Sequence, residues 1–173
     1  MARASIKENK NIYHITRENL NLTREKASEV LGSISPERIE KIENERIIPH
    51  PEDILIMSRG YKAPHLCNHY CSRQCPIGQE YVPEIELSEL SDIVLEMLAY
   101  LNSMHAEKDR LVEITYNGRI DSFEMDDFIR IQQKLEHISV TTEALQLWCE
   151  KMLATGHIDK QEYEKRKQKI TQG

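Results

Sequence analysis

The chain has 173 residues, of which 30% are charged, and 23 Lys and Arg stand against 29 Asp and Glu for a net charge of −6. That balance excludes a protein that coats nucleic acid nonspecifically, because such binding needs a basic surface. The length admits one domain or two small ones. Hydrophobic residues make up 39%, enough for a core, and only 6 Gly and 6 Pro accompany many Glu, Lys, Leu and Ile. This composition points to an all-α fold. No apolar run approaches the length of a membrane span and no signal-peptide pattern opens the chain, so the expectation is a cytoplasmic protein with no membrane partner. The charge is uneven: residues 1–62 hold 11 basic and 10 acidic residues, net +1, and residues 63–173 hold 12 and 19, net −7.

Residues 1–10 are polar, with Arg3, Lys7 and Lys10, and form a basic arm or a frayed end. A first helix is expected over Asn11 to Asn19. Leu22 to Ile47 then reads as a helix, a tight turn and a second helix that looks outward. Leu22, Ala27, Val30 and Leu31 recur at helical spacing, as do Ile39 and Ile42 after the break. Gly32 suits a left-handed helix end. Ser35 supplies an N-cap oxygen, Pro36 takes the first helical position, and Arg38 and Lys41 fall away from the apolar side. Pro49 and Pro51 bracket the entry to a fourth helix near Glu52 to Arg59.

The ordered set Tyr13, Arg17, Leu22-Thr23-Arg24-Glu25, Leu31-Gly32, Ile34-Ser35-Pro36-Glu37-Arg38-Ile39, Ile42-Glu43 and Pro49-x-Pro51-Glu52-Asp53-Ile54-Leu55 resembles the repressor/Cro-like helix-turn-helix family, often called XRE. The resemblance covers about Asn11 to Met57. It implies a five-helix DNA-binding domain that lays its second helix, about Ser35 to Glu43, in the major groove of double-stranded DNA. Within that helix Ser35, Glu37, Arg38 and Lys41 are the candidates at the groove. Glu can accept from cytosine, and Arg or Lys can donate to guanine. Arg24, Asn44 and Arg46 are the candidates for phosphates.

Ala63 to Gly78 carries Cys67, Cys71 and Cys75 at intervals of four, with His65 and His69 interleaved. A cytoplasmic protein rarely uses such residues for structural disulfides. On one unbroken helix Cys67 and Cys75 would be about 12 Å apart along the axis, whereas thiolates on one zinc lie within about 4 Å of each other. A bent segment could hold zinc, or an iron–sulphur cluster in view of Cys75-Pro76. His65, His69 or the distant Cys149 is then the fourth ligand. Packing of the cysteines as small hydrophobes is the third possibility.

Residues 79–90 are acidic, contain Pro83 and read as a linker between a first domain over 1–78 and a helical dimerisation or regulatory domain over 91–173. A long helix is expected from Ser88 or Ser91 to Ile114. Its stripe of Ile93, Val94, Met97, Leu98, Leu101 and Met104 fits either a core or a homodimer seam. Asn117-Gly118 to Glu124 is echoed by Thr155-Gly156 to Glu162, and lacks the carboxylates of a calcium loop. Each copy reads instead as a helix end followed by a capping box, Asp121/Glu124 and Asp159/Glu162. This predicts helices near 122–137, 141–154 and 159–170, sharing Phe128, Ile131, Leu135, Ile138, Leu145, Trp148, Cys149 and Met152.

No glycine-rich phosphate loop, nucleophile elbow or His-Glu-x-x-His helix is present, so the sequence argues against an enzyme. Two functions remain. One is a sequence-specific transcriptional regulator, with the cysteine segment stabilising it or sensing metal or redox state. The other is a protein-interaction adaptor that keeps the fold without reading DNA, favoured by the acidic total and by Asn44-Glu45 where the family usually has Gly.

Overall fold

Side-chain caps cut the N-terminal part of the chain into short helices. The computed structural model describes residues 9–116 and 118–171, and among the described residues all regular structure is helical. Residues 1–8 of the basic arm expected over 1–10 and the Asn117 of the internal echo lie outside the described residues, and Lys10, which is described, pairs with Glu18 at 2.6 Å. α1 (Ile12–Asn19) starts where Asn11 accepts the His14 amide at 3.0 Å. α2 (Arg24–Leu31) starts at Thr23, which accepts from Lys26 at 3.3 Å. α3 (Pro36–Glu43) starts at Ser35, which accepts from Arg38 at 3.2 Å, with Pro36 preset for the first turn. At the head of α4 (Pro51–Gly60) the Asp53 carboxylate takes the His50 amide at 2.9 Å.

Three of these helices end in the same way. Asn21, Glu45 and Lys62 adopt φ of +55°, +56° and +53°. Behind each, paired amides fold back onto the last turn. For α3 these are Glu45 N–H to Ile42 O at 3.1 Å and Arg46 N–H to Lys41 O at 2.9 Å. That is the Schellman arrangement, which satisfies helix-end carbonyls and usually places Gly at the left-handed position. Here it recurs on Asn, Glu and Lys.

The helices close over Tyr13, Ile39, Ile42, Met57 and Leu66, each no more than 1% exposed. α5 (His65–Arg73) joins this core through Leu66, and α6 (Pro76–Tyr81) packs on α5 through Gly78. A side chain at Gly78 would run into the Cys71 carbonyl, so the two helices touch backbone to backbone.

α7 (Leu90–Thr115) and α8 (Met125–Thr155) are much longer. By contacts, the described residues up to Glu84 and those from Cys149 onward make one unit, and 85–148 make another. The first unit therefore takes in residues 79–84 of the expected linker, and it also takes in the end of the expected 91–173 domain. α8 is one helix where two were expected. No Gly or Pro interrupts it, and the hydroxyls between the two expected helices bond within the helix. Thr141 Oγ1 donates to His137 O at 3.0 Å and Thr142 Oγ1 to Ile138 O at 2.7 Å. Asp121 accepts the Glu124 amide at 3.0 Å, and Glu124 in return accepts the Asp121 amide at 3.2 Å, ahead of α8. Asp159 accepts the Glu162 amide at 2.8 Å at the start of α9 (Lys160–Thr171). Of the shared core expected for these helices, Ile131 is buried and Leu135 is exposed.

Candidate nucleic-acid interface

The second helix of the pair, α3, is held by charge on its buried side. Glu43 is 1% exposed and receives Arg17 of α1 through Nε at 2.5 Å and Nη2 at 2.9 Å. Arg17 also donates to the Leu22 carbonyl at 2.6 Å, which ties the start of the α1–α2 loop into the same knot. Burial opposes the charge on Arg17, but the Glu43 carboxylate outweighs it and raises the pKa above its usual value. Arg24 of α2 adds a third donor to Glu43, Nε to Oε2 at 2.9 Å. Three helices thus meet at one carboxylate. His14 lies beside it, 1% exposed, with Nε2 3.1 Å from Glu18 and Nδ1 3.9 Å from Glu43. His14 Nδ1 and the Tyr61 hydroxyl have no hydrogen-bond partner among the described residues.

The outer side of α3 is different. Glu37 and Lys41 are exposed, four residues apart, and no ion pair or hydrogen bond of either side chain is formed among the described residues. Arg38, expected at a base edge, is committed elsewhere. Its guanidinium forks onto Asp53 of α4. Ser35 is exposed and spends its oxygen on the cap. Asn44 approaches Glu40 at 3.4 Å, and Arg46 lies 3.6 Å from the same carboxylate. Arg24 engages Glu43 through Nε alone, and its side chain keeps 31% exposure at the first turn of α2.

Glu43 and Asp53 stood in the sequence only as matching positions, with no role attached. A readable sign was available for Asp53, because it sits three residues after His50, where an acidic side chain caps its own helix. Glu43 carried no such sign, since a charged residue at the end of a helix is ordinarily solvated.

The cysteines are divided by a break. Cys67 and Cys71 lie on α5, one turn apart. Gln74 ends that helix, and Cys75 is the residue before α6. Burial pushes the Cys71 thiol above its usual pKa, with Cys75 and Cys67 adding to the effect. His65 and His69 are both held below the usual imidazole value, chiefly by burial, and His69 stands edge-on to Tyr13 at 6.0 Å. The neighbouring Cys149 raises the Tyr163 phenol above its usual pKa. Among the described residues no group of three or more His, Cys, Asp or Glu side chains is gathered closely enough to hold a metal ion.

A capped short helix, a tight turn at Gly32 and a second helix exposed along one side define a helix-turn-helix protein. Residues 15–65 match the family model described as Helix-turn-helix, a span from within α1 to the first residue of α5. This segment is a helix-turn-helix domain of the XRE type, a class of DNA-binding regulatory domain. The match covers under a third of the chain. Neither the curated proteins nor the solved structures searched gave a match. No helix among the described residues is long and apolar enough to cross a membrane.

Proposed function

We propose that the protein is a cytoplasmic, sequence-specific transcriptional regulator that places α3 in the major groove of duplex DNA. The observation that carries this reading is the contrast between the two sides of α3. One side is fixed by the buried Glu43 carboxylate and the Ser35 cap, and the other offers Glu37 and Lys41 with no partner among the described residues. Lys41 donates to a guanine edge and Glu37 accepts from cytosine. Arg24, with only Nε engaged, holds a phosphate at the first turn of α2, where the helix dipole also favours an anion. Arg46 reaches a second phosphate by leaving Glu40, an exposed pair of little worth. Arg38 acts one step back, fixing α3 against α4 through Asp53.

Selection of bound duplexes from a random pool by the full chain tests this. A defined sequence should emerge. Lys41→Ala and Glu37→Ala should each relax the preference at one base pair by about 1–3 kcal/mol. Arg24→Ala should weaken all duplexes evenly and lower the salt slope by about 1. Failure to enrich any sequence overturns the reading and leaves the adaptor, which the mixed charge of Glu37, Glu40 and Lys41 on α3 and the net −6 of the chain favour.

A further inference from the structure

The pairing of α7 with α8 shows which of their faces is covered. Arg110 Nε meets Asp127 at 2.7 Å, Lys134 Nζ meets Glu107 at 2.7 Å, the Tyr100 and His137 rings stack at 4.5 Å, and Ile93 shares a cluster with Ala144 and Leu147. Each step along α7 is a step back along α8, so the helices are antiparallel. Inward positions repeat every seven residues: Ile93, Tyr100, Glu107 and Ile114 on α7, and Asp127, Lys134, Thr141 and Trp148 on α8.

A second stripe lies roughly 100–160° around each helix from the inward positions, in the sense of advancing residues. On α7 it contains Leu98, Leu101 and Val112, at 47%, 44% and 60% exposure, and on α8 Leu135 at 46%. One residue turns a helix by about 100°. Because the two helices run in opposite directions, that turn carries both stripes to the same broad side of the hairpin. On the opposite side, Ala144 and Leu147 of α8 are buried in a cluster with Ile85 and Leu87. The Ala144–Leu147 end of that side has its cover within the chain, Leu95 and Ile129 on the same side stay exposed, and the stripe on the other side is open.

We infer that a second copy of this chain covers the open side, two hairpins closing into a four-helix bundle. The dimensions fit this occupant. α7 has 26 residues, so it runs about 39 Å, and two helices each about 10 Å wide present on the order of 800 Å², which is what each partner of a stable complex contributes. A pair of α7 helices alone would offer half of that, so the inferred interface also takes in the exposed Leu135 of α8. A two-fold dimer needs a self-complementary surface, and a stripe of aliphatic side chains is one. His105 and Lys108 interrupt the stripe near its middle and set the register, as polar residues in an apolar seam do.

The test is the mass of the full chain in solution without DNA, by sedimentation equilibrium, so its outcome is independent of DNA reading. Twice the chain mass is expected at micromolar concentration. Leu98→Glu and Leu135→Glu should each raise the dissociation constant at least about thirtyfold with unchanged helical circular dichroism. Ala99→Glu, exposed but off the stripe, should leave it unchanged. Should the glutamate variants unfold, hydrogen exchange of the unmodified chain decides, since amides around Leu98 and Leu101 must gain protection as concentration rises. A monomer at about 100 µM, a dimer indifferent to both glutamates, or concentration-independent exchange overturns the inference.

Discussion

Arg38 of α3 grips Asp53 of α4 with two parallel bonds, Nε to Oδ1 at 2.9 Å and Nη2 to Oδ2 at 2.6 Å. Asp53 also caps its own helix through the His50 amide, so one carboxylate both starts α4 and sets its angle to α3. The geometry makes Arg38 a brace for the helix that presents Glu37 and Lys41.

Acid should loosen this brace. Burial alone would raise the Asp53 pKa, but Arg38 and the His50 amide outweigh it and hold the carboxyl below its ordinary value. A group depressed on folding stabilises the protein above its unfolded pKa, near 3.9, and loses that contribution as pH falls through the folded value. Asp53→Asn should therefore cost about 1–2 kcal/mol at pH 7 and show a shallower loss of stability between pH 5 and 3 than the unmodified protein, as read by urea titrations across that range.

Removing the carboxylate at the three-helix junction should be more severe. Glu43→Ala leaves Arg17 buried and unpaired, and stability should fall by about 3–5 kcal/mol. Arg24→Ala removes a partly exposed donor from the same carboxylate and should cost under about 1 kcal/mol. Denaturant midpoints of the two variants give the comparison, and equal losses would show that Arg17 is not the main partner.

Glu45 holds φ +56° immediately after α3. A left-handed L-residue is strained by roughly 1–2 kcal/mol, and glycine relieves this while adding freedom to the unfolded chain. Glu45→Gly should raise stability by a net of about 0.5–1 kcal/mol in thermal melts. A lower melting temperature would mean that the Glu45 side chain makes a compensating contact.

Gly78→Ala should separate α5 from α6, because the new methyl would meet backbone at Cys71 rather than a movable side chain. Overpacking of this kind costs about 1–3 kcal/mol. Calorimetry should report that loss, and faster hydrogen exchange across α6 would locate it.

Much of the first domain could be read from the chain as it stands. Asn, Thr and Ser caps, Pro36 at a first turn, Gly32 at a helix end and the apolar spacing of Ile39 and Ile42 are local signals, and each acts within about four residues of where it is written. The Asp121 and Asp159 caps are legible for the same reason. The left-handed positions at Glu45 and Lys62 were hidden because neither residue prefers that conformation. The continuity of α8 is harder to read, because Thr141 and Thr142 disfavour helix interiors until their hydroxyls bond back to the previous turn.

By itself the sequence determined an all-helical chain, a helix-turn-helix near its start and the residues available to its outer face. Only the tertiary structure decided which of those residues are free. Arg38 and Lys41 look alike in the sequence, yet one faces Asp53, fifteen residues away, and the other faces solvent. The apolar stripe of α7 likewise became two, one turned to α8 and one turned outward, when the hairpin set its register. Helical periodicity records which side chains share a face, and the packing of one helix on another determines whether that face is already covered.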